Sequence, residues 1–313
     1  MTRAVVFAYH DVGVRCLATL IAHGVEVPLV VTHADDPAEA IWFDSVAGLA
    51  RLHGIPVIAP ADPNAPEITK RVRALHPDFL FSFYYRLLLK PELLAAAGRG
   101  AFNLHGSLLP KYRGRAPVNW AIIHGERETG ATLHEMVAKP DAGRIVDQQA
   151  VPILPNDIAV DVFRKVTTAA ERVLDRALPS LIAGNAELRP QDFSSGSCFG
   201  RRRPEDGRID WTKDALSVHN LVRAVAPPYP GAFSLVAGRT LRLLRTFNAG
   251  EHSAVAGQPA LLARGSELHL RCADGGMLRV LEAELDGFPL GADAMRARFG
   301  SDSLALRNAV SIT

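Results

Sequence analysis

Short apolar, β-rich runs alternate with segments of helical period through the first half of this chain, and few folds accept that order. Runs at 4–8, 27–32, 79–84, 100–104 and 131–137 are predicted strands. Segments 12–23, 41–53 and 67–76 between them are predicted helices. Strand–helix alternation at this spacing builds βαβ units, because parallel neighbours need a crossover between them. The predicted class is therefore α/β, a Rossmann-like and mostly parallel sheet with helices on both faces. Ligands of such sheets sit beyond the carboxyl ends of the strands. The loops after Tyr9, Tyr84 and His105 are the first places to look for a site.

A long helix is predicted from residue 156 or 157 to about 183, with Ile158, Phe163, Val166, Ala170, Val173, Leu174, Ala177 and Leu181 at three-to-four spacing. Gly184 supplies a left-handed closing residue, and Pro179 is expected to kink or shorten the helix. Ser194-Ser195-Gly196-Ser197 reads as a linker. Beyond it, β-like runs at 241–244, 268–271 and 277–281 predict a smaller β-rich domain. The expected division is a catalytic domain at 1–195, a C-terminal subdomain at 200–306 and a tail at 307–313. With 313 residues, 48% of them hydrophobic, two cores are within reach.

A net charge of +2 is too balanced to demand a nucleic-acid partner, and none is expected. The three cysteines, Cys16, Cys198 and Cys272, are odd in number and far apart. They give neither a disulfide framework nor a CxxC metal site, which fits a reducing compartment. No stretch approaches the roughly 20 apolar residues of a membrane span. The N-terminal run is also too short for a signal peptide, so a cytoplasmic location is expected.

The segment 102–117 carries most of the chemistry. Asn103 and His105 stand two residues apart at a strand end, so their side chains share a face. An Asn-x-His there either caps a turn or brings an amide donor and a titratable base to one reacting atom, as amine attack on a carbonyl carbon requires. The long basic loop that follows, with Lys111, Arg113 and Arg115, weighs toward a site. Asp141 before Ala142-Gly143 is either a turn residue or a carboxylate that favours the imidazolium of His105. The aromatics of 81–85 either line a flat pocket or fill a core. Arg201, Arg202 and Arg203 form either a solvated face or a bidentate grip on a phosphate. His10 and Asp11 lack a third ligand at metal-binding spacing, so no metal is expected.

Together, Asn103-x-His105-x-Ser107-Leu108-Leu109-Pro110, the continuation Lys111-Tyr112-Arg113-Gly114, Thr129-Gly130 and Asp141-Ala142-Gly143 resemble the formyltetrahydrofolate-dependent formyltransferases. That family includes methionyl-tRNA, glycinamide-ribonucleotide and nucleotide-sugar formyltransferases. Val5 through Asp11, Phe81 through Arg86 and Cys198 through Arg202 look most like the UDP-4-amino-4-deoxy-L-arabinose formyltransferase domain of bifunctional polymyxin-resistance proteins.

The resemblance implies transfer of formyl from 10-formyltetrahydrofolate to the 4-amino group of that UDP-linked sugar, in lipid A modification. The alternatives are methionyl-tRNA formylation or N-formylation of another nucleotide-linked amino sugar. By the same analogy Asn103 stabilises an oxyanion, His105 is the acid/base and Asp141 supports its charged form. Leu87, Leu88, Leu89, Arg115, Val137, Ala138, Lys139, Pro140 and Asp141 would contact the folate. Tyr9, Arg201, Arg202 and Arg203 would contact the UDP-sugar, and the C-terminal part would be OB-like. Ala138 and Pro140 replace more polar residues of the family, which leaves backbone contacts at those positions. Bifunctional relatives continue into an NAD-dependent dehydrogenase, and oxidative decarboxylation of UDP-glucuronic acid is not expected of this chain.

Overall fold

The structure, a computed structural model, describes residues 1–37, 39–254 and 257–308. Residues 309–313 of the expected tail lie outside them.

In chain order the first elements are β1 (Arg3–Ala8), α1 (His10–Ala22), β2 (Glu26–Val31), α2 (Val46–Leu52), β3 (Val57–Ile58), α3 (Pro66–Ala74) and β4 (Phe79–Phe83). They are followed by α4 (Pro91–Leu94), β5 (Gly100–His105), β6 (Arg113–Gly114), α5 (Pro117–Ile123), β7 (Glu128–Glu135), β8 (Ile145–Pro152) and α6 (Ala159–Ala183). After β9 (Cys198–Phe199) and α7 (Ala215–Ala224) come β10 (Ala232–Val236), β11 (Arg239–His252), β12 (Ala260–Arg264), β13 (Glu267–Arg271), β14 (Gly276–Leu285) and β15 (Phe288–Pro289). The described chain closes with α8 (Ala292–Phe299) and β16 (Ser303–Ala305).

Seven strands form one sheet in the order β3-β2-β1-β4-β5-β7-β8. The pairs from β3 to β5 are parallel, and β7 runs antiparallel to β5. The sheet is thus mostly parallel, as the alternation predicts. β1 and β4 are apolar at nearly every position because both of their faces are covered, and Phe7, Leu80, Phe81 and Phe83 are fully buried. The chain divides into two compact units. The first comprises Met1–Pro117, Glu128–Val151 and Phe163–Gly200 and holds this sheet. The second comprises Val118–Arg127, Pro152–Val162 and the chain from Arg201 onward. Its antiparallel sheet has the order β10-β11-β14-β13-β12-β16, with β15 paired to β14. Trp211, Val222, Leu243, Leu270, Leu278 and Met295 lie in its core.

Three local expectations need correction. The helix predicted at 41–53 begins only at Val46, where the Ser45 hydroxyl accepts the Gly48 N–H. Trp42 and Phe43 belong instead to the loop after β2 and pack edge-on or stacked against the His10 ring. Pro179 does not shorten α6, which runs on to Ala183. Its last carbonyls, on Leu181 and Ile182, accept from the Arg99 guanidinium, and Gly184 takes φ 76 behind them. The segment read as a linker is held locally: Phe193–Ser195 forms a short helical turn, and Ser197 donates its N–H to the Pro110 carbonyl and accepts from the Arg113 N–H just before β9 pairs with β6.

Candidate active site

β5 ends at the carboxyl edge of the first sheet and carries Asn103 and His105 there. The antiparallel neighbour β7 sets Thr132 opposite His105 and His134 opposite Asn103. Beyond β7 the chain turns, and Asp141 adopts a left-handed φ of 53. Two hydrogen bonds from the Gln191 side-chain amide, to the carbonyls of Asp141 (3.0 Å) and Gly143 (2.7 Å), hold that turn. The Gly114 N–H donates to Asp141 Oδ2 at 2.9 Å. Four separate segments of one compact unit therefore converge on a volume that local sequence cannot define.

The hydrogen bonds fix the proton positions. His105 Nε2 lies 2.8 Å from the Tyr112 carbonyl oxygen, which can only accept, so Nε2 carries a proton. Nδ1 is left to hold the lone pair or the second proton, 3.6 Å from Asp141 Oδ1. That spacing is an ion-pair distance beyond hydrogen-bond length, so Nδ1 is not locked to the carboxylate. His134 is oriented in the same way. Its Nδ1–H donates to the Glu135 carbonyl at 2.8 Å, and burial pushes its pKa down to about 4. The neutral ring then offers an Nε2 lone pair to Asn103 Nδ2 at 3.1 Å. One amide N–H of Asn103 is consumed; the other has no partner among the described residues and remains for a ligand.

Asp141 Oδ1 also lies 3.6 Å from His134 Nε2. Burial alone would raise the Asp141 carboxyl. The His105 and His134 rings, the Gly114 N–H and the Arg113 guanidinium outweigh burial and hold it below the usual range. The centre is an ionised carboxylate, an imidazole and an oriented amide, a set able to stabilise a developing oxyanion and move one proton.

The loop between β5 and β6 is strapped to the same strands. Thr132 Oγ1 donates to the Ser107 carbonyl at 2.6 Å and accepts from the Leu109 N–H at 3.1 Å. Leu87 and Leu88 are exposed and Leu89 packs on the core. Their loop is pinned by Asn64, which donates to the Leu88 carbonyl and accepts from the Lys90 N–H, and by neutral His33, which accepts from the Arg86 N–H. Val137, Ala138, Lys139 and Pro140 are exposed on the segment leading to Asp141, and Arg115 is exposed beside Gly114.

Tyr9 is placed differently. It is 4% exposed, its hydroxyl donates to Asp35 Oδ1 at 2.8 Å, and Arg86 stacks on its ring. Arg201, Arg202 and Arg203 belong to the second unit. Arg202 lies over the Trp120 ring and donates to the Asp206 carbonyl, while Arg201 and Arg203 are exposed. Sequence reasoning missed His134. The alternation of polar Thr132 and His134 on one face of β7 was the signal available.

Residues 13–178 match the formyl transferase family, and residues 202–296 match the formyl transferase C-terminal domain. The fold is similar to that of an N-formyltransferase from Helicobacter canadensis solved with folinic acid and dTDP-3-aminofucose. That match has a TM-score of 0.72 and 22% identity, and covers 90% of this chain and 99% of that one. WlaRD, a sugar 3N-formyltransferase solved with dTDP and 5-N-formyl-THF, matches with a TM-score of 0.72 and 20% identity over 92% of this chain and 98% of that one. A sugar N-formyltransferase from Shewanella sp FDAARGOS_354 gives 0.62 and 19% over 77% and 96%.

Proposed function

The chain belongs to the formyl transferase family, and from that premise we propose that it transfers formyl from 10-formyltetrahydrofolate to the 4-amino group of UDP-4-amino-4-deoxy-L-arabinose. The observation that carries this reading is the meeting of Asn103, His105 and Asp141 at the carboxyl edge of the sheet. The donor supplies an activated formyl carbon. The acceptor amine attacks that carbon, and negative charge gathers on the formyl oxygen. The free N–H of Asn103 stabilises it. His105, neutral with its Nε2–H held by the Tyr112 carbonyl, takes at Nδ1 the proton that the amine releases. The imidazolium so formed adds to the stabilisation and then gives that proton to the departing folate nitrogen as the carbon–nitrogen bond breaks and the formyl carbonyl re-forms. Asp141, ionised, favours the imidazolium through this exchange.

The residues fit a folate. Exposed Leu87, Leu88 and Val137 offer apolar surface for a flat ring, Ala138 and Pro140 offer backbone contacts, and Arg115 and Lys139 offer charge. Exposed Arg201 and Arg203 suit the acceptor diphosphate, with Arg202 braced on Trp120 beside them in sequence. Tyr9, buried in the first unit and bound to Asp35, is assigned to contact with the acceptor. This acceptor is the reason to place the enzyme in lipid A modification and polymyxin resistance. A cytoplasmic setting belongs to the same proposal; among the described residues no helix is long and apolar enough to cross a membrane.

A second reading, N-formylation of another nucleotide-linked amino sugar, draws support from the Helicobacter canadensis protein, solved with dTDP-3-aminofucose. Competition decides between them. Purified protein, donor and an equimolar mixture of UDP-4-amino-4-deoxy-L-arabinose and dTDP-3-aminofucose are incubated, and products are read by mass spectrometry. The UDP-sugar is expected to be formylated first, and preference for the dTDP-sugar would overturn the acceptor assignment.

A further inference from the structure

Phe193 opens the short turn Phe193–Ser195 and leaves 43% of its surface in water. Two cations share its ring, with the Arg113 guanidinium carbon 4.7 Å and Lys139 Nζ 5.4 Å from the centroid. Both lie within cation–π range, so one ring gathers two positive charges. Among the described residues neither cation forms an ion pair, and Arg113 Nε is buried without a partner. The cluster also adjoins the reacting centre through the backbone. Lys139 is two residues from Asp141, Arg113 precedes the Gly114 N–H that binds Asp141, and Gln191, which holds the Asp141 turn, is two residues from Phe193.

We propose that Arg113, Lys139 and Phe193 form a subsite for the γ-linked oligoglutamate tail of the folate donor. The inference rests on the folate reading given above. Two cations on an exposed aromatic call for an extended anion with more than one negative group; Asp141 acts on Arg113 only through space, and among the described residues no carboxylate forms an ion pair with either cation. A chain of glutamyl carboxylates and the acceptor diphosphate share that chemistry. The tail is favoured because Lys139 stands on the 137–141 segment assigned to the donor, whereas the acceptor cations lie in the 201–203 run.

The test compares tetrahydrofolate monoglutamate with the pentaglutamate, by calorimetric binding to the full chain and by KM of the corresponding 10-formyl donors. Wild-type protein is expected to bind the pentaglutamate on the order of tenfold tighter, a gain that shrinks at high salt because Lys139 is exposed and Arg113 only half-buried. Phe193→Ala and Lys139→Glu, each checked for an unchanged melting temperature, should bring the ratio close to one. Lys139→Glu also weakens the monoglutamate because Lys139 stands on the donor segment, and Phe193→Ala should leave KM for the UDP-sugar unchanged. A wild-type ratio near one, or a ratio that both variants preserve, overturns the subsite while leaving formyl transfer standing. A rise in acceptor KM with an unchanged folate ratio assigns the cluster to the diphosphate and overturns it too. Failure of wild-type protein to bind either folate removes the donor reading and the subsite with it.

Discussion

His134 decides which face of the Asn103 amide meets the reaction. Its Nδ1–H is committed to the Glu135 carbonyl, so its Nε2 can only accept, and Asn103 must turn Nδ2 toward it. Removing the ring frees the amide to rotate its oxygen toward the developing oxyanion. His134→Ala is therefore expected to lower kcat by about tenfold to a hundredfold with little change in donor KM. His134→Gln, whose carbonyl can accept the same N–H, should recover part of the loss in steady-state kinetics. Equal defects in both variants, or a defect confined to KM, would remove the positioning role. At this scale the sequence discloses Asn103 and His105, because an i, i+2 pair at a strand end must share a face. Asp141 is visible only as a turn residue, and His134 only as an alternate position on a strand. Their meeting depends on the register of β7 against β5, which no local pattern records.

Single elements hold those side chains in place, and Gly114 shows how little tolerance they have. It lies in the pairing of β6 with β9 at φ 95, a conformation that side chains rarely adopt, and a Cβ there would run into the Phe199 carbonyl. Its N–H is also the direct backbone donor to Asp141. Gly114→Ala should cost about 1–3 kcal/mol of stability from strain and lower turnover by moving the carboxylate. Chemical denaturation and kinetics on the same sample check both; wild-type values in each would show that the pairing yields easily. The strand–helix alternation exposes the sheet well because period is a local property. Segment 41–53 misleads because Trp42 and Phe43 mimic the apolar face of a helix while serving as loop residues packed on His10. The antiparallel direction of β7 was hidden as well, since strand direction follows from how the chain returns and not from its composition.

Across the whole molecule, several histidines are buried in their neutral form. Burial holds His134 and His219 at about 4 and His10 at about 3, each below the usual 6.5. A histidine whose folded-state pKa is lowered binds protons more readily when unfolded, so stability is complete above pH 6.5 and falls as pH drops from 6.5 toward 4. For His134 alone that loss is roughly 3 kcal/mol. The depressed Asp141 carboxyl adds to the loss at lower pH, starting where an unfolded aspartate takes up its proton and continuing below it. Melting temperatures recorded from pH 7.5 to pH 4.5 should fall steeply through this window. A flat profile would show that these rings take up protons in the folded chain.

His219 anchors the second unit by accepting and donating between Thr246 and the Pro155 carbonyl, so acid should loosen both units. The central claim is that one amide and one imidazole act together on a formyl carbon, and single-turnover transfer from 10-formyltetrahydrofolate to the UDP-amino sugar tests it most directly. Asn103→Ala and His105→Ala, both folded by circular dichroism, are expected to slow transfer by about a hundredfold or more each. Rates near wild type in both variants would contradict it.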